Sequence, residues 1–252
     1  MKTHSWIFLS LLFLGFQGAA GAVAQKPVAI FQEANAAYRG GDYSKATSLY
    51  ESLIDMNWKK ANVFYNLGNA YFREKRLGLA ILNYERAKRM TPRDRDISAN
   101  LAYVRGLLEY RIEDKRNWYS KMGETIPSAF TMEQTGIVTL TISLLFWIGL
   151  IVSLYTEVTT SWGWGKKSLL VLTLVSLSIW SLKGLHNATV HEAIVIKEQA
   201  SVRYGPSYKD QAAFKLGEGI KVRVKKTEGE WSQVVLSNGE TGWVAEEEIG
   251  VI

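Results

Sequence analysis

Residues 61–92 read ANVFYNLGNAYFREKRLGLAILNYERAKRMTP. Apolar residues recur at helical spacing through this stretch. Thr91-Pro92 closes it, because proline removes a backbone donor and cannot continue a helix. Gly68 sits inside the first half, where glycine costs about 1 kcal/mol against alanine. A close contact with a facing helix near Ala80 offsets that cost through packing. The stretch therefore predicts a helical hairpin, with a first helix over about 61–73 and a second over about 78–90.

The same pattern stands 34 residues upstream. Ala34, Tyr38, Gly41, Tyr43, Ala46 and Tyr50 form the first copy. Phe64, Leu67, Gly68, Tyr71, Ala80, Tyr84, Ala87 and Pro92 form the second. Leu101 and Ala102 follow Leu67 and Gly68 by the same interval, so a helix over 95–112 starts a third copy, lacks a partner helix and is expected to cap the stack. Small residues recur where two helices touch, and large ones where the next helix fills a gap. The period resembles the tetratricopeptide repeat. Two departures stand in the first copy, Glu33 where Leu is usual and Trp58 where Pro is usual.

That resemblance implies a domain over 25–112, with repeats at about 27–60 and 61–94, that holds peptides on the inner face of its first helices. By repeat position this face presents Phe31, Asn35, Tyr38 and Arg39, then Tyr65, Asn69, Phe72 and Arg73. An asparagine amide bonds a peptide backbone through both its ends, and arginine forks onto a carboxylate. Tyr65 and Phe72 equally suit packing between repeats. Some tetratricopeptide proteins clamp a terminal carboxylate with lysines, and Phe31 and Asp96 stand at such positions here. A stack of fewer than about three repeats is marginal alone. It is expected to lean on the membrane-proximal segment or on another protein.

Around this domain the chain changes character three times. The start, MKTHSWIFLSLLFLGFQGAAGAVAQ, has the layout of a secretory signal peptide over 1–24. Lys2 is followed by an apolar run from Trp6 to Phe16 and by Ala22-Val23-Ala24, after which cleavage is expected. An uncleaved anchor is the alternative. After a juxtamembrane linker over 113–133, residues 134–156 (QTGIVTLTISLLFWIGLIVSLYT) hold no charge. They would span about 35 Å as a helix, enough to cross a bilayer. Thr131 and Gln134 fit a capping box at its entry. A second run over 168–186 crosses if Lys183 snorkels to the interface. A buried core helix is the alternative for each run. The loop between them, 157–167, carries Trp162, Trp164, Lys166 and Lys167, the residue types of a cytoplasmic membrane boundary. Both flanks of the hairpin then face the periplasm, which is also where the signal peptide sends residues 25–130.

From His191 the periodicity becomes two. EAIVIKEQASVRYGPS (192–207), IKVRVKK (220–226) and SQVVLSNGETGWVA (232–245) alternate and are separated by Gly205-Pro206, Glu228-Gly229 and Asn238-Gly239. Alternating runs joined by Asn-Gly predict hairpins, here about five short strands in a small barrel over 190–252. The string from Ser201 to Val244 resembles the bacterial SH3 family. The resemblance implies binding of cell-wall peptides or proteins, with Arg203, Tyr204, Trp231 and Trp243 as groove residues or, equally, as turn and core positions.

Chemistry for an enzyme is not visible. The chain has no cysteine, which excludes disulfides and thiolate chemistry. His186 and His191 are five apart, a poor metal pair, and no phosphate-binding glycine loop or supported nucleophile triad is found. No cofactor is expected. Thirty basic against 24 acidic residues give a net charge of +6, spread without a Lys/Arg block, so nucleic acid is not an expected partner. The expected fold class is a multidomain membrane protein of all-α tetratricopeptide repeats, two transmembrane helices and a small all-β SH3-like barrel. This order of modules resembles the BatE-type members of the Bacteroides aerotolerance family. Membership would imply partners among other Bat proteins and a role in envelope or oxidative stress tolerance. The expected function is a non-enzymatic inner-membrane scaffold, with a peptidoglycan-binding module as the alternative.

Overall fold

The computed structural model describes residues 26–108, 129–155 and 163–252. The expected signal peptide, residues 109–112 of the expected capping helix, most of the linker, residue 156 of the first apolar run and residues 157–162 of the loop lie outside the described residues.

The N-terminal region is helical: α1 over 26–39, α2 Tyr43–Asp55, α3 Ala61–Arg73, α4 Leu77–Met90 and α5 Arg95–Leu107. Local chemistry sets the ends. Asp42 accepts from the Lys45 N–H at the start of α2, and Asp94 accepts from the Asp96 and Ile97 N–H groups at the start of α5, satisfying donors that a helix leaves unpaired. Thr91, before Pro92, is the C-cap of α4. The sequence-based bounds of α3 and α4 agree with these to within a residue.

The core repeats with the sequence. Ala34, Ala46 and Tyr50 are buried in the first copy, and Ala80 and Tyr84 in the second. Gly68 is buried as expected, but its main contact is a side chain. A Cβ placed there would lie 2.8 Å from the Tyr84 ring and 3.2 Å from the Ala80 carbonyl oxygen. The missing methyl thus makes room for an aromatic ring. Helix α5 is shorter than expected: it ends at Leu107, and Leu108 turns extended. The Leu108 side chain lies against Gly219, 111 positions along the chain, so tertiary packing ends a helix whose local sequence would run on.

The C-terminal region is one antiparallel sheet of seven strands: β1 His191–Val195, β2 Gln199–Arg203, β3 Ala212–Gly217, β4 Lys221–Glu228, β5 Trp231–Val235, β6 Thr241–Ala245 and β7 Ile249–Val251. The order is β3-β2-β6-β5-β4-β1-β7. Seven strands rather than five follow from two features. The first alternating run breaks at 196–198 into β1 and β2, and the three-residue β7 returns to pair with β1. Val195, Val202, Leu216, Val222, Val234 and Val244 fill the interior.

Between these regions lie α6 Met132–Tyr155 and α7 Gly163–Thr189. Both are long and apolar enough to cross a membrane, and only 11% and 6% of their apolar windows are covered by the rest of the described chain. That coverage is far below what a core helix needs. They run antiparallel: Met132 meets Gly184, Gly136 meets Trp180, and the Thr139 hydroxyl lies 3.3 Å from the Ser176 carbonyl oxygen. The capping box is reciprocal, with Thr131 N–H to Gln134 Oε1 and Gln134 N–H to Thr131 Oγ1 both at 3.1 Å. Helix α7 starts five residues before the expected 168. Trp164, Lys166 and Lys167 therefore belong to its first turns, and Lys167 stacks on the Trp164 ring at 5.3 Å. Gly163 and Gly165 weaken a helix without breaking it.

The helical region and the barrel touch. Ile194 of β1 is completely buried in the cluster formed by α1 to α5, not in the barrel interior. Helix α4 forms the contact with β1 and β7.

Candidate functional site

The inner face of the helical region is organised by two copies of one hydrogen-bonded node. Asn35 Oδ1 accepts from the Tyr50 hydroxyl at 2.6 Å and from Asn66 Nδ2 at 2.9 Å. Asn69 Oδ1 accepts from the Tyr84 hydroxyl at 2.6 Å and from Asn100 Nδ2 at 3.1 Å. Each pair of equivalent residues is 34 apart. The first node ties α1, α2 and α3 together; the second ties α3, α4 and α5. Asn100 Nδ2 also reaches the Tyr65 hydroxyl at 3.0 Å. The two expected ligand-binding asparagines thus use their carbonyl oxygens to hold the stack, and only Nδ2 of each remains for a bound chain. Tyr65 likewise takes the packing role, with its ring 6.0 Å from that of Tyr84.

The other predicted residues of this face are more open. Arg39 and Arg73 are exposed, and the Arg73 guanidinium stacks on Tyr43 at 4.6 Å. Tyr38 packs edge-on against the same Tyr43 ring at 5.4 Å. Burial raises the Tyr38 hydroxyl pKa, against the opposing pull of Arg73. Phe31 sits between Tyr50 and Trp58 as a packing residue. Phe72 meets Tyr103 edge-on at 5.9 Å, and Tyr103 is 62% exposed. The face therefore offers guanidinium groups, amide donors and an aromatic pair, which suits an extended segment carrying acidic and apolar side chains. Asn66, Asn100 and Tyr103 were not among the expected residues. The 34-residue interval between Asn66 and Asn100 was the available signal; Tyr103 has none.

The nodes make a testable pH dependence. Burial pushes the Tyr50 hydroxyl up to about 12 from 10.0 and raises that of Tyr84 further. A raised folded pKa means the folded form holds its proton longer. The associated stability is complete below pH 10 and is lost as pH rises through about 12. Helical content should hold to about pH 10 and fall above it, together with the appearance of Tyr50 tyrosinate. A difference titration against Tyr50→Phe reads this directly. A tyrosinate signal from Tyr50 at its ordinary pKa with the helices intact would contradict the buried donor.

On the barrel, the predicted residues separate into three roles. Trp231 and Trp243 are 7% and 6% exposed and form a small buried cluster with Ala245. Arg203 donates through Nη1 to the carbonyl oxygens of Tyr208 and Asp210 at 3.1 and 2.6 Å, closing the 204–211 loop onto β2. Tyr204 alone among the four is open to solvent, at 72%. Tyr208, missed in the sequence, stands edge-on to Trp231 at 4.8 Å and is itself 62% exposed. The reachable surface is thus Tyr204 and Tyr208 backed by Trp231, with Lys226 over Trp243 at 4.9 Å.

Residues 197–250 match the family described as the bacterial SH3 domain, about a fifth of the chain. Among curated proteins no match is found.

Proposed function

We propose that this chain is a non-enzymatic scaffold of a bacterial inner membrane. Its helical region is read as two tetratricopeptide repeats that grip periplasmic segments of partner proteins, with other Bat proteins as the expected partners in stress tolerance. The barrel engages a second ligand. The observation that carries the reading is the recurrence of the Asn–Tyr–Asn node at 34 residues, which leaves a continuous face with Arg39, Arg73, Phe72 and Tyr103 outward.

Membrane placement has separate support. Met132–Ser153 would span about 33 Å, and Trp164 to Lys183 a little less. Their aligned ends carry Trp164, Lys166 and Lys167 on one side, with Thr131 and Lys183 on the other. Lys183 Nζ donates to the Phe130 carbonyl there, as a lysine snorkelling to a boundary does. The contact between α4 and the barrel supports placing the two regions on one side of a bilayer, which an antiparallel pair of crossings allows. Fusion reporters before α6 and after α7 should both read periplasmic; opposite readings would sink the topology.

A photocrosslinker at Arg39 or Tyr103 in intact membranes is expected to label a protein partner, and Arg73→Ala to reduce the yield severalfold. Asn69 is left intact because its loss would release Tyr84 and Asn100. Labelling only of lipid, or none, would count against the groove. The exposed Tyr204 and Tyr208 favour a second reading, in which the barrel stacks on cell-wall peptidoglycan. Sedimentation of the whole chain with purified cell wall, lost in Tyr208→Ala, would support that reading.

A further inference from the structure

One complete face of α4 belongs to the barrel. Its residues Gly78, Ile81, Leu82, Glu85, Arg86 and Arg89 recur at helical spacing. The Gly78 N–H donates to Glu218 Oε2 at 2.6 Å. A Cβ on Gly78 would lie 2.8 Å from the Val195 carbonyl oxygen and 3.0 Å from Ile196 Cα, so the barrel backbone rests directly on the helix. Ile81 lies over Gly219, whose φ of +79° suits glycine, and Leu82 lies over Gly250. Glu85 pairs with Arg105 of α5 and faces Lys221 at 3.8 Å, while Lys221 pairs with Glu192 at 2.6 Å. Arg86 donates to the Val251 carbonyl oxygen at 3.1 and 2.7 Å, and Arg89 to an Ile252 oxygen at 2.9 Å. Burial lowers the Arg86 pKa.

Two of these contacts replace something the helical region lacks. The N-cap residue of α4, Arg76, makes no capping hydrogen bond, and the first turn carries no acidic side chain. Glu218 supplies an acceptor and a negative charge from 140 residues away. The outer surface of α4, which a following helix pair would cover in a longer stack, is covered by β1, β7 and the 217–220 turn instead.

We infer that the barrel is the terminal cap of the helical stack, docked on α4 as a built-in latch, so that the two candidate binding surfaces move as one rigid body. Undocking would expose Ile81, Leu82 and Ile194, all at most 3% exposed in the docked form, and would strip the buried Glu85 of one cationic neighbour. The docked state is therefore the resting state. The inner groove and the Tyr208 surface keep a fixed spacing, unlike two domains on independent tethers. This inference rests on α4 and the barrel, and holds whether or not α6 and α7 cross a membrane.

Hydrogen exchange on the full chain tests it. Glu218→Ala is expected to speed exchange in the first turn of α4 about fivefold, the effect of losing a helix cap. Gly78→Val is expected to speed exchange across α4, α5 and β1 while β5 and β6 keep their protection. Unchanged α4 and α5 exchange in Gly78→Val would overturn the latch. A second measurement does not depend on that variant folding. The chain has no cysteine, so Leu82→Cys with Gly250→Cys places the only two thiols across the dock, where a Cβ on residue 250 lies within reach of side chain 82. Near-complete crosslinking under mild oxidation is expected; absence of the crosslink in folded protein would overturn the inference.

Discussion

Tyr84→Ala is expected to unfold the helical region at temperatures where the wild type is folded. Tyr84 is 1% exposed, and its ring fills the space opened by Gly68. Truncating a buried aromatic ring costs about 3–5 kcal/mol, a large part of the roughly 5–15 kcal/mol by which a domain is stable. The substitution also removes one of two donors to Asn69 Oδ1 and loosens the join between α3, α4 and α5. Tyr84→Phe separates the two effects. It keeps the ring and loses the hydroxyl, at about 1 kcal/mol. Because Tyr50 holds the equivalent node, Tyr50→Phe should cost a similar amount. Thermal unfolding followed by far-ultraviolet circular dichroism checks all three. An unaltered midpoint in Tyr84→Ala would mean that the ring is not part of the core.

Trp243→Ala is expected to melt the barrel, whereas Tyr208→Ala leaves its stability unchanged and removes ligand binding. Trp243 is buried against Trp231 and Ala245, so its loss should cost about 3–5 kcal/mol. Tyr208 meets Trp231 edge-on and keeps most of its surface in solvent. Exposed aromatic surface with a buried ring beneath it is where a ligand gains contact without unfolding the domain. Tryptophan fluorescence on heating reads the first effect; cosedimentation with cell wall or with a crosslinked partner reads the second. If Tyr208→Ala destabilises the barrel as much as Trp243→Ala, Tyr208 is a core residue and the reachable surface lies elsewhere.

The residues of the candidate face were legible in outline; which of their polar atoms are already engaged within the stack was not. Asn35 and Asn69 were identified by their 34-residue spacing, but spacing alone cannot tell a ligand contact from an internal tie. Both readings need a polar residue at the same repeat position. The decision depends on whether Tyr50 and Tyr84 reach those amides, a distance set by how closely successive helices pack. Arg203 posed the same problem: a turn arginine and a groove arginine look alike until the carbonyl oxygens of Tyr208 and Asp210 are in place.

The sequence alone determined the type and approximate place of most elements, but not the number of strands or the bounds of α5 and α7. Helical spacing in 61–92, alternation after His191, an uncharged run long enough for α6, a second apolar run for α7, and the capping box at Thr131 are all local signals, written within a few residues of one another. The tertiary structure alone decided what covers the outer face of α4, where α5 ends, and which side chains stay free to bind. The cap on Gly78 comes from Glu218, and Leu108 leaves its helix to pack on Gly219. Such contacts join residues more than a hundred positions apart. No periodicity records them, because they depend on two finished surfaces fitting together rather than on the order of residues along either one.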